Sequence, residues 1–158
     1  MKKYRLTEET TKVGNRPLYR IQALRDFGNV KEGDIGGYIE SEKNLSQDGN
    51  AWVSGDAWVY GNARVSDDAR VSGDSRVSGD ADIKTAGDIC SMSGFGSEYR
   101  TTTAFRTKNG DVHVSCGCFQ GNLEAFCQRV ESTHGNNLYG REYKKMIEML
   151  KIHFEVEP

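Results

Sequence analysis

From Ile39 to Ala86 the apolar positions return every six residues. Read from Ala51, consecutive units are Ala-Trp-Val-Ser-Gly-Asp, Ala-Trp-Val-Tyr-Gly-Asn, Ala-Arg-Val-Ser-Asp-Asp, Ala-Arg-Val-Ser-Gly-Asp and Ser-Arg-Val-Ser-Gly-Asp. Ala81-Asp82-Ile83 opens one more, and Ile39 and Leu45 start two upstream units in the same phase, with Ser41 and Gln47 where valine stands later. Side chains alternate across a strand, so Ala51 and Val53 share a face and Trp52 points away. A small residue followed by a valine suits a narrow interior. Gly55, Gly61, Gly73 and Gly79, each followed by Asp or Asn, supply the turns, because glycine accepts positive φ and Asx side chains bond their own backbone.

The flanks carry different patterns. Residues 3–6 and 18–24 predict a hairpin around a polar turn at Gly14-Asn15-Arg16-Pro17. Asp26-Phe27-Gly28-Asn29-Val30 and residues 33–39 then lead into the repeat. After Ala86, residues 101–107 and 112–116 flank Asn109-Gly110 and predict a second hairpin. Asn122 can cap a helix with Leu123, Phe126, Cys127 and Val130 on one stripe, and His134-Gly135 ends it. A second helix carries Tyr139, Tyr143, Met146, Ile147, Leu150 and Phe154 at helical spacing. The chain therefore divides into an N-terminal β cap (1–38), the repeat (39–87) and an α+β module (88–158).

The repeat resembles the hexapeptide-repeat family of left-handed parallel β-helices. The resemblance implies a mainly β fold, with three hexads in each triangular coil. Residues eighteen apart then stack: Val53 under Val71, Val59 under Val77, Val65 under Ile83. On the outside, Trp52 meets Arg70, Trp58 meets Arg76 and Arg64 meets Asp82. So few hexads bury little surface and need caps at both ends. The opening Lys3-Tyr4-Arg5-Leu6 and residues 26–38 resemble the N-terminal cap of hexapeptide-repeat proteins of enteric bacteria and their phages, usually labelled transferases from the fold. The resemblance also implies trimers packed side by side, and the outward tryptophans supply a physical motive.

Composition narrows the chemistry. Hydrophobic residues make up 36% of the 158, and the formal net charge of −2 gives no general attraction to nucleic acid or anionic membrane. The start of the chain turns acidic where a leader would be apolar, no run is long enough to span a bilayer, and a cytoplasmic protein with reduced cysteines is expected. Hexapeptide-repeat acyltransferases use a histidine base on a coil or inserted loop. Here His113, His134 and His153 all lie after the repeat, and no long loop interrupts the hexads. Cys116-Gly117-Cys118 is tighter than a zinc knuckle and has no second pair, so neither a metal nor a cofactor is expected. A Cys–His pair of Cys116 or Cys118 with His134 lacks an identifiable orienting acid.

The expectation is thus a non-catalytic oligomeric binding protein of phage or prophage type. It would engage a host protein or hold a small phosphorylated ligand, not duplex nucleic acid. Trp52, Trp58, Arg64, Arg70, Arg76 and Arg106 are its candidate binding residues, because guanidinium matches phosphate and indole stacks on bases. The alternative is an acyltransferase.

Overall fold

The computed structural model describes residues 1–156. Three strands come first: β1 Tyr4–Val13, β2 Arg16–Ala23 and β3 Ile35–Ile39. Six two-residue strands follow: β4 Trp52–Val53, β5 Trp58–Val59, β6 Arg64–Val65, β7 Arg70–Val71, β8 Arg76–Val77 and β9 Asp82–Ile83. The tail holds β10 Ile89–Phe95, β11 Arg100–Arg106, β12 Val112–Cys116, β13 Phe119–Asn122, α1 Leu123–His134 and α2 Leu138–His153. The fold is mainly β, in several sheets of which none closes.

The eighteen-residue register is present. β4 pairs in parallel with β7 as Trp52↔Arg70 and Val53↔Val71, β5 with β8 as Trp58↔Arg76 and Val59↔Val77, and β6 with β9 as Arg64↔Asp82 and Val65↔Ile83. Ladder bonds continue through the corners, as in Asn50 N–H to Asp67 O and Asp56 N–H to Gly73 O. Inside the column the small and valine positions from Ala51 to Val71 are fully buried, as is Val77.

Upstream of Ala51 the phase changes. Ile39 pairs with Val59 and Leu45 with Val65, twenty residues on, so both occupy valine positions and not the small position that the hexad phase assigns them. The extra residues between Leu45 and Val53 make a wider corner, and its polar side chains have structural work. The Gln47 carboxamide accepts from the backbone N–H of Lys3 (2.7 Å) and of Tyr4 (3.2 Å), tying β1 to the column. Asn44, fully buried, donates to the carbonyls of Gly61 and Ala63 and accepts from the N–H of Glu40 and Ser41.

The N-terminal hairpin belongs to the column's own sheet, ordered β1-β2-β3-β5-β8. β3 pairs antiparallel with β2 on one side and parallel with β5 on the other. Gly36 permits this joint: a Cβ there would lie 2.5 Å from Val53 O and 2.7 Å from the Trp52 ring. β1 runs well past the expected residue 6, because residues 7–11 are polar on both faces and show no period-two signal.

The tail sheet has order β10-β11-β12-β13, so two strands join the expected hairpin. β11 separates two cores. Ala104 belongs to the apolar cluster of α1 and α2, while Phe105 belongs to the cluster of the column. Around Phe105 the contact is sealed by Thr103 Oγ1, which accepts from Arg76 N–H at 3.0 Å, and by Lys108 N–H donating to Asp80 O at 2.9 Å. Asn122 caps α1 as expected, accepting from Ala125 N–H, and Asn137 caps α2, accepting from Gly140 N–H.

One turn departs from its repeat. Asp67 takes φ +56° where the equivalent positions are Gly49, Gly55, Gly61, Gly73 and Gly79. A left-handed non-glycine residue costs roughly 1–2 kcal/mol. Asp67→Gly should therefore raise the urea midpoint, a gain of about 0.5–1 kcal/mol after the entropy that glycine adds to the unfolded chain.

Candidate functional site

The column does not gather its candidate residues into one place. Trp52 with Arg70, Trp58 with Arg76, and Arg64 lie on three separate strand stacks. Trp52, expected outside, is 4% exposed. Tyr4 and Phe27 meet its ring edge-on at 6.5 and 5.3 Å, because the N-terminal segment folds over this face. The Arg70 guanidinium lies beside Gly28, 2.8 Å from where a Cβ would stand. Arg76 does stack on Trp58, 4.0 Å from the ring, and one of its nitrogens also donates to the carbonyls of Asp56 and Asp74. Desolvation lowers the pKa of that guanidinium, opposed by Asp74 and Asp56. Asp82, the strand partner of Arg64, forms its ion pair with Lys84 at 3.6 Å. Arg106 is a structural clamp: it donates to Phe154 O at 3.0 Å, lies over the Phe154 ring and faces Asp88 at 3.6 Å.

Two of the concave places lie on opposite faces of the tail sheet and between them hold His113, Cys116, Cys118 and His134. The first is a cleft of about 270 Å³ where the end of the column meets the sheet, lined by Ser78, Gly79, Phe105, His113, Ser115 and Gln120 among others. Side-chain alternation along β12 sends His113 and Ser115 to this side and Val112, Val114 and Cys116 to the helices. His113 lies opposite Phe105 in the ladder, ring centres 6.4 Å apart. Gln120 spans the junction, its carboxamide donating to Tyr60 O–H at 2.8 Å and accepting from Ser78 O–H at 3.5 Å. The cleft thus sets a half-buried imidazole beside hydroxyl and amide groups, the set that deprotonates a nucleophile and steadies a developing oxyanion. His113 follows the repeat in sequence, yet it lines the cleft at the column's end. The Asn109-Gly110 turn carried the missing signal, since its register places His113 on the Phe105 face.

The second place is a pocket of about 120 Å³ among Arg100, Cys116, Cys118, Phe119, Arg129, His134 and Tyr143. It brings both thiols of the Cys-Gly-Cys segment near His134, whose ring stacks on Tyr143 at 5.7 Å. No carboxylate orients that imidazole within the lining. All four cysteines are free thiols, and burial pushes the Cys90 thiol pKa up. Among the described residues, no group of three metal-ligating side chains converges, and no helix is long and apolar enough to cross a membrane.

No family model matches the chain. Over 61 residues it is 39% identical to the uncharacterized acetyltransferase YdcK of Escherichia coli (strain K12), across 34% of this chain and 19% of that protein. The chain thus spans under a fifth of the length of this curated relative. The similarity overturns the expectation of a non-catalytic binding protein for a host protein or small phosphorylated ligand. It favours the alternative, acyl transfer. The argument against an enzyme rested on hexads that carry no histidine and no long inserted loop; the hexads are uninterrupted, but His113 lines a cleft at the column's end from outside them.

Proposed function

We propose that the chain is a hexapeptide-repeat acyltransferase whose column is a left-handed parallel β-helix, and that the junction cleft is where transfer occurs. The similarity to a protein named as an acetyltransferase carries this reading. The eighteen-residue parallel register and the His113 cleft support it. Acyl donor and acceptor are substrates, an acyl thioester and an alcohol or amine. His113 accepts the proton of the acceptor as its oxygen or nitrogen attacks the thioester carbonyl. The second amide hydrogen of Gln120 and the Ser115 hydroxyl donate to the resulting oxyanion, while Ser78 O–H stays on the Gln120 carbonyl. Collapse breaks the carbon–sulfur bond, and the departing thiolate takes the proton from His113. Side-by-side trimers belong to the same reading, with Trp58 in place of the buried Trp52 as the outward aromatic.

Release of free thiol from acetyl-coenzyme A, followed with panels of amines and sugars, tests the proposal. His113→Asn should reduce turnover by about 10²–10⁴-fold, the usual contribution of a general base, while leaving the melting temperature unchanged. Full activity in His113→Asn would remove the cleft from the reaction. Absence of thioester cleavage across both panels would remove acyl transfer itself.

A further inference from the structure

The pocket on the helix side of the tail sheet has two chemically distinct parts. Its wall is apolar, with Phe126 and Val130 almost fully buried and Phe119 packed on Phe126 at 5.4 Å. Its rim carries the guanidinium groups of Arg100 and Arg129. Neither forms an ion pair among the described residues. Arg129 is held over the Phe119 ring at 5.3 Å, and Arg100 lies across Gly117, where any Cβ would collide with it. Both cations are therefore braced at a pocket mouth with no carboxylate at ion-pair distance among the described residues.

The floor adds a hydroxyl. Thr102 O–H donates to Cys116 Sγ at 3.3 Å, which gives that sulfur a donor without Tyr143. Tyr143 O–H, 3.7 Å from the same sulfur, is left able to donate to a guest. Burial keeps this phenol protonated well above its ordinary range, so it remains a donor.

We propose that this pocket binds a short-chain carboxylate. Its carboxylate group meets Arg100 and Arg129 in charge-assisted hydrogen bonds, and its few carbons lie on Phe119, Phe126 and Val130. A volume of about 120 Å³ admits a handful of heavy atoms and excludes a nucleotide or a long acyl chain. Inorganic phosphate would satisfy the rim and leave the apolar wall uncovered. The site is independent of the acyl-transfer reading, because His113 faces the other side of the sheet.

Cys116 reports occupancy directly. In Cys118→Ser protein, millimolar propionate should slow alkylation of Cys116 by the neutral reagent iodoacetamide. Propionamide, which has the same shape without the charge, should not. Arg100→Gln and Arg129→Gln replace exposed side chains, and each should weaken protection about tenfold or more, the loss expected for a charge-assisted hydrogen bond. Val130→Phe should abolish protection by filling the wall. Equal protection by propionamide or by inorganic phosphate, or protection indifferent to both arginine substitutions, overturns the proposal. So does unchanged alkylation at saturating propionate.

Discussion

Phe105→Ala destabilises the protein by about 3–5 kcal/mol, the range for deleting a buried aromatic side chain. A urea titration followed by circular dichroism measures this as a lower midpoint. Phe105 is 3% exposed and shares the column's apolar cluster with Val77, Ala81 and Ile83. A stack of two-residue strands cannot cover its own last layer, and this ring closes it. Phe105→Leu, which keeps most of the volume, should recover more than half of the loss. A cost below about 1 kcal/mol for Phe105→Ala would mean that the terminal layer tolerates water.

Lys3 produces the second large effect, and it depends on pH. The side chain is fully buried, its ammonium donating to Ala51 O at 2.8 Å and Asp48 O at 3.3 Å. Desolvation, with the positive charges of Arg25 and Arg70 adding to it, lowers its pKa from 10.5 to about 8. Between those values the unfolded chain binds more protons than the folded one, so stability rises with pH across that window. The shift corresponds to a rise of at most about 3 kcal/mol. Tyr4 and Tyr143 act in the opposite sense: burial raises both phenols above the ordinary range, so the unfolded chain loses its phenolic protons first and stability falls above about pH 10. Denaturation midpoints should therefore climb from neutral pH, peak near pH 10 and then drop. Lys3→Met should flatten the climb and leave the drop. A climb that persists in Lys3→Met would assign it to other groups.

The repeat was legible because every hexad obeys the same steric rule, a small residue and a valine inside and a turn at the corner. Taken with the three hexads per coil that the family resemblance implies, that rule yields the register Val53↔Val71. It fails upstream of Ala51, where Asn44 and Gln47 replace backbone partners with side-chain amides and two residues are added to a corner. Period counting cannot see such a substitution. It also cannot tell which of three equivalent faces the N-terminal segment will cover, so Trp52 passed for a surface residue. In the tail, the helices and the Asn109-Gly110 hairpin were legible from caps and turn chemistry. β10 and β13 were not: Ser91, Ser93 and Gly94 in one, and Gly121 in the other, hide the alternation that marks a strand. The candidate site was the least legible, because it depends on the tail sheet turning its Phe105 face toward the column.

The sheet that begins antiparallel at β1 and continues parallel to β8 gives the chain a fixed beginning, and Phe105 gives it a fixed end. From Trp52 to Ile83 each level presents the next with the same backbone pattern, eighteen residues later. Length is therefore free to change in whole levels: a duplication of one level would lift the upper lid off the lower one without altering what either lid touches. The junction cleft would travel with the tail, intact, to whichever level came last.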